Sequence, residues 1–254
     1  MTVTRWKFTI EYDGTNYNGW QKQIDGVPTI QESIETALFQ FCGQTIKITA
    51  AGRTDTGVHA KGQVAHFDLD YGARDLSGFN LQKAINALLR PQSISILQAE
   101  IVPNDFHARF DAVSKIYRYR IFNRFAPPNF EKNFVEHIYG DLDCEQMQEG
   151  ANYLIGTHDF TSFRAQYCQA KSPIRSIDSA EILKVGEEIQ FMFQGKSFLH
   201  HQVRNMVGSL LMIGQKKWEP IKINEILKAK NRVMAGPTAP PQGLCLERIF
   251  YPNQ

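Results

Sequence analysis

Two hydrophobic periods take turns along the chain, and that alternation constrains the fold before any motif does. Residues 7–12 alternate apolar and polar and then meet Asp13-Gly14, which reads as a half-buried strand running into a turn. Thr29-Ile-Gln-Glu32 is a capping box, and Ile30, Ile34, Ala37, Leu38 and Phe41 follow at helical spacing until Gly43. The β-branched run at 46–51 reads as a strand, and another follows at 63–69. Leu81, Ile85, Leu88 and Leu89 make a second amphipathic helix ended by Pro91, and 93–102 is a strand closed by Pro103. The order strand, helix, strand, strand, helix, strand suits a mostly antiparallel sheet with helices on one face, an α+β layout.

A second α+β half begins after Pro103, so the expected division is 1–104 and 105–254. Residues 106–122 are strand-like, interrupted near 111–114. Asp143 with Gln146 caps a helix carrying Met147, Ala151, Leu154 and Ile155, stopped by Gly156. Residues 176–183 and 188–193 read as a hairpin around Val185-Gly186. Val203, Met206, Val207, Leu210 and Leu211 form a strongly apolar helix ending at Gly214, and a short helix near 224–230 precedes a Pro-rich stretch at 237–241. The halves share element order without a residue-level repeat.

At 254 residues, 43% hydrophobic and 21% charged, the chain has the composition of a globular protein of one large or two ordinary domains. A net charge of +2 does not announce a nucleic-acid partner, so local clustering must carry that case. No window approaches a membrane span, and the N-terminal residues hold no apolar leader core. Cys42, Cys144, Cys168 and Cys245 lie far apart, without metal-ligand spacing, and His200-His201 are adjacent rather than four apart. The expectation is a cytoplasmic protein with reduced thiols and no structural metal.

The segment with most to say about chemistry is Gly52-Arg-Thr-Asp-Thr-Gly-Val-His-Ala60. A glycine-bounded turn at a strand end presents Asp55 two residues after Arg53, where functional side chains collect. An acid beside a guanidinium is either a nucleophile kept ionised or a structural ion pair. Asp55-Thr56-Gly57 also spells the tripeptide of aspartic proteases, but no second copy exists to complete a carboxylate dyad. A phosphate-binding loop fails because no Lys-Ser or Lys-Thr follows the second glycine. A glycosidase needs a partner carboxylate, for which Asp13 is the one tempting turn acid.

Residues 105–124 are the densest basic stretch: Arg109, Lys115, Arg118, Arg120 and Arg124 against Asp105 and Asp111. Aromatics interleave with them, and on a strand Tyr117 and Tyr119 share one face while Arg118 and Arg120 share the other. That pattern fits either stacking platforms and phosphate contacts for RNA or a plain amphipathic strand with solvated arginines. Arg164 and its neighbours at 161–164 extend the positive charge. Arg204 begins the most apolar helix, where a guanidinium either meets an anion or extends its head to solvent.

The chain resembles the bacterial tRNA pseudouridine synthases of the TruA type. The matching pieces, in order, are Ile10-Glu-Tyr-Asp-Gly-Thr15 with Gly19-Trp-Gln21, the segment 52–60 with Gly62-Gln-Val64, and Phe106-His-Ala-Arg-Phe110. Tyr117-Arg-Tyr119, Asp159-Phe-Thr-Ser-Phe-Arg164 and residues 198–208 with Val203-Arg204-Asn205 complete the set. Thr56 stands where the family commonly has alanine, which leaves the acid and both glycines in place. The resemblance implies two related halves whose sheets join around a central cleft. It implies isomerisation of uridine to pseudouridine at tRNA positions 38, 39 and 40 in the anticodon stem and loop, by a homodimer. Asp55 would be the catalytic aspartate, acting at the ribose C1′ or as a base. Arg204 would pair with it, Tyr117 would stack on the target base, and Arg53 would hold the place of the flipped nucleotide. Lys115, Arg118, Arg109 and Arg164 are the further tRNA contacts expected. An isomerisation has no net redox or hydrolysis, so no cofactor or metal is expected.

Overall fold

The structure is a computed structural model and describes residues 3–24, 26–72 and 76–252. The chain divides into two compact units, Met1–Val113 with Leu246–Gln254, and Ser114–Cys245.

The first unit opens with β1 (Val3–Tyr12), α1 (Ile30–Cys42), β2 (Thr49–Ala50), β3 (His59–Asp70), α2 (Gly78–Leu89) and β4 (Ile94–Ile101). β1 lies between β3 and β4 and pairs antiparallel with both. Thr29 caps α1 by accepting from Glu32 N, and Gly43 ends it at φ +72, a left-handed conformation glycine adopts at no steric cost. Ile30, Ile34, Ala37 and Leu38 face inward, as their spacing requires. α2 packs on both α1 and β4, which places the two helices in one layer. The register of β1 slips near Ile10, a bulge that re-aims Tyr12 at the strand's end.

The strand expected at 46–51 shrinks to Thr49–Ala50. Ile46 and Ile48 are nonetheless buried, so the β-branched pattern reported burial rather than sheet pairing.

The second unit contains β5 (Ser114–Asn123), β6 (Glu136–Ile138), α3 (Cys144–Asn152), β7 (Gly156–Asp159), β8 (Ile174–Val185), β9 (Glu188–Gly195), α4 (Gln202–Gly214) and α5 (Lys222–Ala229). The order β5-β9-β8-β7 is antiparallel throughout, and β6 joins β5 in parallel. α3 packs on β8, α4 on β5, and the helices touch one another, giving one layer on this sheet. Asp143 caps α3 by accepting from Gln146 N at 3.1 Å. A last strand, β10 (Leu244–Phe250), lies beside β3, with its residues from Leu246 onward in the first unit.

Residues 106–110 are not a strand. His107 O accepts from the amides of Phe110 and Asp111, and Asp111 Oδ2 accepts from His107 N, so the segment curls into a tight turn. Each unit is therefore α+β, with a mostly antiparallel sheet and helices on one side. No helix among the described residues is long and apolar enough to cross a membrane.

Candidate active site

In the first unit, Asp55 sits on the loop between β2 and β3. The loop is short of regular structure but heavily tied down. Ala51 N donates to Val64 O at 2.8 Å, and the fully buried Gln63 donates through Nε2 to Gly52 O at 2.8 Å. Thr54 is buried; its hydroxyl shares a 2.8 Å hydrogen bond with Tyr12 Oη, and its carbonyl accepts from Trp20 N at 3.1 Å. Beyond Asp55, Val58 N donates to Asp55 O at 3.1 Å across a turn that Gly57 completes at φ +75. Gly57 N donates to Tyr17 O at 3.2 Å.

The support beneath this loop is itself anchored. The carbonyls of Gly19 and Trp20 accept from Ile30 N and Gln31 N, satisfying amides in the first turn of α1 that have no partner within the helix. Gly19 approaches Thr54 so closely that a Cβ there would lie 2.6 Å from Thr54 O. The peptide groups on both sides of Asp55 are thus fixed while its side chain remains half-buried. Arg53 and Thr56 flank it as exposed residues, and Arg109 is exposed on the turn after Phe106. Such a loop anchors the backbone from which the Asp55 carboxylate projects.

In the second unit, β5 alternates as its sequence requires. Lys115, Tyr117, Tyr119 and Ile121 are buried on one face, and Arg118 and Arg120 are half-buried on the other. The Tyr117 ring meets Phe198 edge-on at 5.1 Å. Tyr119 Oη donates to Pro240 O at 2.9 Å, and burial pushes its phenol well above the ordinary range, with Glu136 adding to the effect.

The basic stretch is thinner in space than in sequence. Arg120 Nε and Nη2 form a bidentate pair with Glu188 at 2.8 and 2.7 Å, and Nη2 also reaches Glu131. The Arg120 hydrogen bonds hold the Glu188 carboxyl below the usual carboxylate range, against the opposing effect of burial. Arg124 pairs with Glu187 at 2.8 Å and lies over the Phe122 ring. Both cations therefore have carboxylate partners within the fold, Arg120 in a part-buried network and Arg124 in a more exposed pair. Glu188 and Glu187 lie 68 and 63 residues away along the chain, out of reach of any local pattern, while Glu131 is 11 away. Arg164 is half-buried just after the 3-10 turn Thr161–Phe163, beside which Asp159 Oδ1 accepts from Thr161 N at 2.9 Å.

Arg204 is half-buried in the first turn of α4, the helix packed on β5. Its Nε donates to Ala239 O at 2.7 Å, and Ala239 N returns a bond to Arg204 O at 3.1 Å. Sequence reasoning saw the Pro-rich stretch at 237–241 but not that it grips this arginine. It also missed Tyr12, whose hydroxyl lies 42 residues from Thr54 in sequence. His201, at the N-cap of α4, adopts φ +62, an outlier for a residue with a Cβ that no sequence signal marks.

These observations define a two-unit α+β protein with a braced acidic loop in one unit and a Tyr/Arg strand beneath an arginine-bearing helix in the other. A family model described as tRNA pseudouridine synthase matches residues 9–111 and 151–252. The chain is 47% identical over 254 residues to a protein of Rhodospirillum rubrum named tRNA pseudouridine synthase A, covering 99% of this chain and 89% of that one. Proteins of the same name from Rhodospirillum centenum and Caulobacter vibrioides are 46% and 47% identical over 249 residues. Each of those matches covers 98% of this chain, and they cover 100% and 99% of the respective relative. The chain belongs to the tRNA pseudouridine synthase family.

Proposed function

We propose that this protein isomerises uridine to pseudouridine at positions 38, 39 and 40 of the anticodon stem and loop of tRNA, with Asp55 as the catalytic carboxylate. The observation that carries the reading is the fixed backbone on either side of Asp55, which lies within residues 9–111 matched by the family model. A reaction that breaks C1′–N1 and forms C1′–C5 on one nucleotide needs a group held still against the sugar while the base turns. The C5 proton leaves and N1 gains one, so the product is an isomer and atoms balance without a co-reactant.

In this reading the N-terminal half, 1–104, supplies the acid, and the half from 105 onward supplies Tyr117 and Arg204. Arg204 keeps Asp55 ionised, since a guanidinium nearby favours the charged carboxylate. Tyr117 stacks on the target base once that nucleotide is flipped out of its stack. Arg53 holds the place vacated by that nucleotide. Arg118, Arg109 and Arg164 contact the tRNA backbone, reading shape more than base identity, whereas Lys115 is buried on the Tyr117 face of β5. Two copies act as a homodimer in the cytoplasm, tRNA lying across both.

The test is direct. The purified protein is incubated with an unmodified tRNA transcript, and pseudouridine is mapped by carbodiimide-dependent reverse-transcription stops. Stops at 38–40 that vanish with Asp55→Asn, while tRNA affinity survives, are the expected result. Full activity of Asp55→Asn, or stops elsewhere in the tRNA, overturns the reading.

A further inference from the structure

Arg204 is held by a part of the chain that lies outside its helix. Ala239, whose carbonyl takes Arg204 Nε, belongs to an irregular segment with extended residues on either side, at Ala235 (ψ 159°) and Pro240 (ψ 153°). The position of that carbonyl therefore depends on what pins the segment to α4.

The pin is a buried polar hub. Asn205, fully buried and adjacent to Arg204, donates through Nδ2 to Phe163 O at 2.7 Å. Its Oδ1 accepts from Thr238 Oγ1 at 2.7 Å and from Arg232 Nη2 at 3.1 Å. Arg232 Nη2 also donates to Thr238 Oγ1 at 3.0 Å, and its Nη1 donates to Gly236 O at 2.9 Å. Ser209 closes the far side, donating to Asn205 O at 2.8 Å and accepting from Gly236 N at 2.9 Å. The approach is close enough to demand glycine at 208, where a Cβ would lie 1.7 Å from Pro237 O.

Arg232 is the unusual member. It is half-buried, the hydrogen bonds it makes among the described residues go to neutral oxygens, and burial lowers its pKa. Partial burial of a guanidinium carries a desolvation cost that a hydrophobic strap would not. What a planar five-donor fork supplies instead is direction: it fixes two backbone carbonyls and two side-chain oxygens in one plane. Thr238 sits between that fork and Asn205 and lies one residue from Ala239.

We propose that Thr238 and Arg232 are positioning residues for Arg204: they set the Ala239 carbonyl that fixes the plane of its guanidinium. The inference rests on the assignment of Arg204 to the uridine reaction. An arginine side chain is rich in rotamers, and ordering it costs conformational freedom. Locking Nε beforehand removes part of that cost from the catalytic step.

Thr238→Val keeps size and shape but deletes the hydroxyl, and Thr238→Ser keeps the hydroxyl. Arg204→Lys removes the Nε donor and so uncouples position 204 from Ala239. All variants are assayed on a tRNA transcript in single turnover at saturating enzyme, alongside tRNA affinity and thermal unfolding. Thr238→Val is expected to slow the step about tenfold with tRNA affinity unchanged, and Thr238→Ser to recover the wild-type rate within about twofold. In the Arg204→Lys background, Thr238→Val adds no further loss, whereas a merely structural role would give additive losses. A wild-type rate for Thr238→Val beside a slow Arg204→Lys overturns the inference alone. So does additivity, or a loss explained by the unfolded fraction. A wild-type rate for Arg204→Lys overturns the assignment of Arg204 as well.

Discussion

Gly19→Ala tests whether the Asp55 loop depends on a close backbone approach rather than on its own turn chemistry. Gly19 has φ +83, and a Cβ there would lie 2.6 Å from Thr54 O and 3.1 Å from the Asp55 carbonyl carbon. Real Cβ atoms essentially never come under 3.0 Å and settle into ordinary contact from 3.4 Å, so Thr54 O must retreat by 0.4 to 0.8 Å. Retreat weakens the 3.1 Å bond from Trp20 N to the same carbonyl. A left-handed backbone costs an L-residue about 1–2 kcal/mol, and a weakened hydrogen bond adds about 1 kcal/mol. For a chain of this length those terms lower Tm by roughly 5–10 °C. The displacement passes directly to Asp55, and a misplacement near 1 Å costs about a hundredfold in rate. A loss of about ten- to a hundredfold in single-turnover pseudouridine formation is expected. Gly43→Ala is the control: it has the same sign of φ, at +72, with nothing within 4 Å of the new Cβ. It should lose stability and keep its rate. A wild-type rate for Gly19→Ala, or an equal slowing by Gly43→Ala, refutes the reasoning.

Tyr12→Phe removes the hydroxyl bonded to Thr54 Oγ1 and should cost about 1 kcal/mol in urea melts, with a smaller rate loss than Gly19→Ala. Arg109→Gln should lower the slope of log tRNA affinity against log salt by about one, because the residue is exposed. Arg120→Gln should leave that slope unchanged and cost about 2–3 kcal/mol of stability, because its charge is committed to Glu188 and Glu131. Glu188→Gln should cost about 2 kcal/mol at pH 7. The Glu188 carboxyl is depressed in the fold, so its contribution is present above the ordinary carboxylate range and lost as pH falls through the lower folded value. Denaturation of the variant should therefore be flatter than wild type between pH 5 and the acid limb, and an identical acid slope contradicts the assignment.

Much of the fold was legible because its signals are local. Thr29 and Asp143 cap helices three residues downstream, and Gly43 ends one, within a single turn of chain. The alternation on β5 separated Tyr117 and Tyr119 from Arg118 and Arg120 through pleat geometry alone. Three strands escaped notice: β6 and β7, of three and four residues, and β10, whose partner β3 is far away in sequence. Short strands carry too few residues for a period to register.

Ordered motifs in one dimension sufficed to place this chain in its family and to propose Asp55 as its acid, since a glycine-bounded acid turn depends on neighbours within a few residues. Tertiary structure alone decided which charges are spoken for and what steadies the site. Arg120 and Arg124 look like their neighbours until Glu188 and Glu187 arrive from a distant hairpin. Thr54 is held by Tyr12 and Trp20, and Arg204 by Ala239, across gaps of 42, 34 and 35 residues. Such bonds exist only once burial has brought remote backbone together, and no periodicity records them.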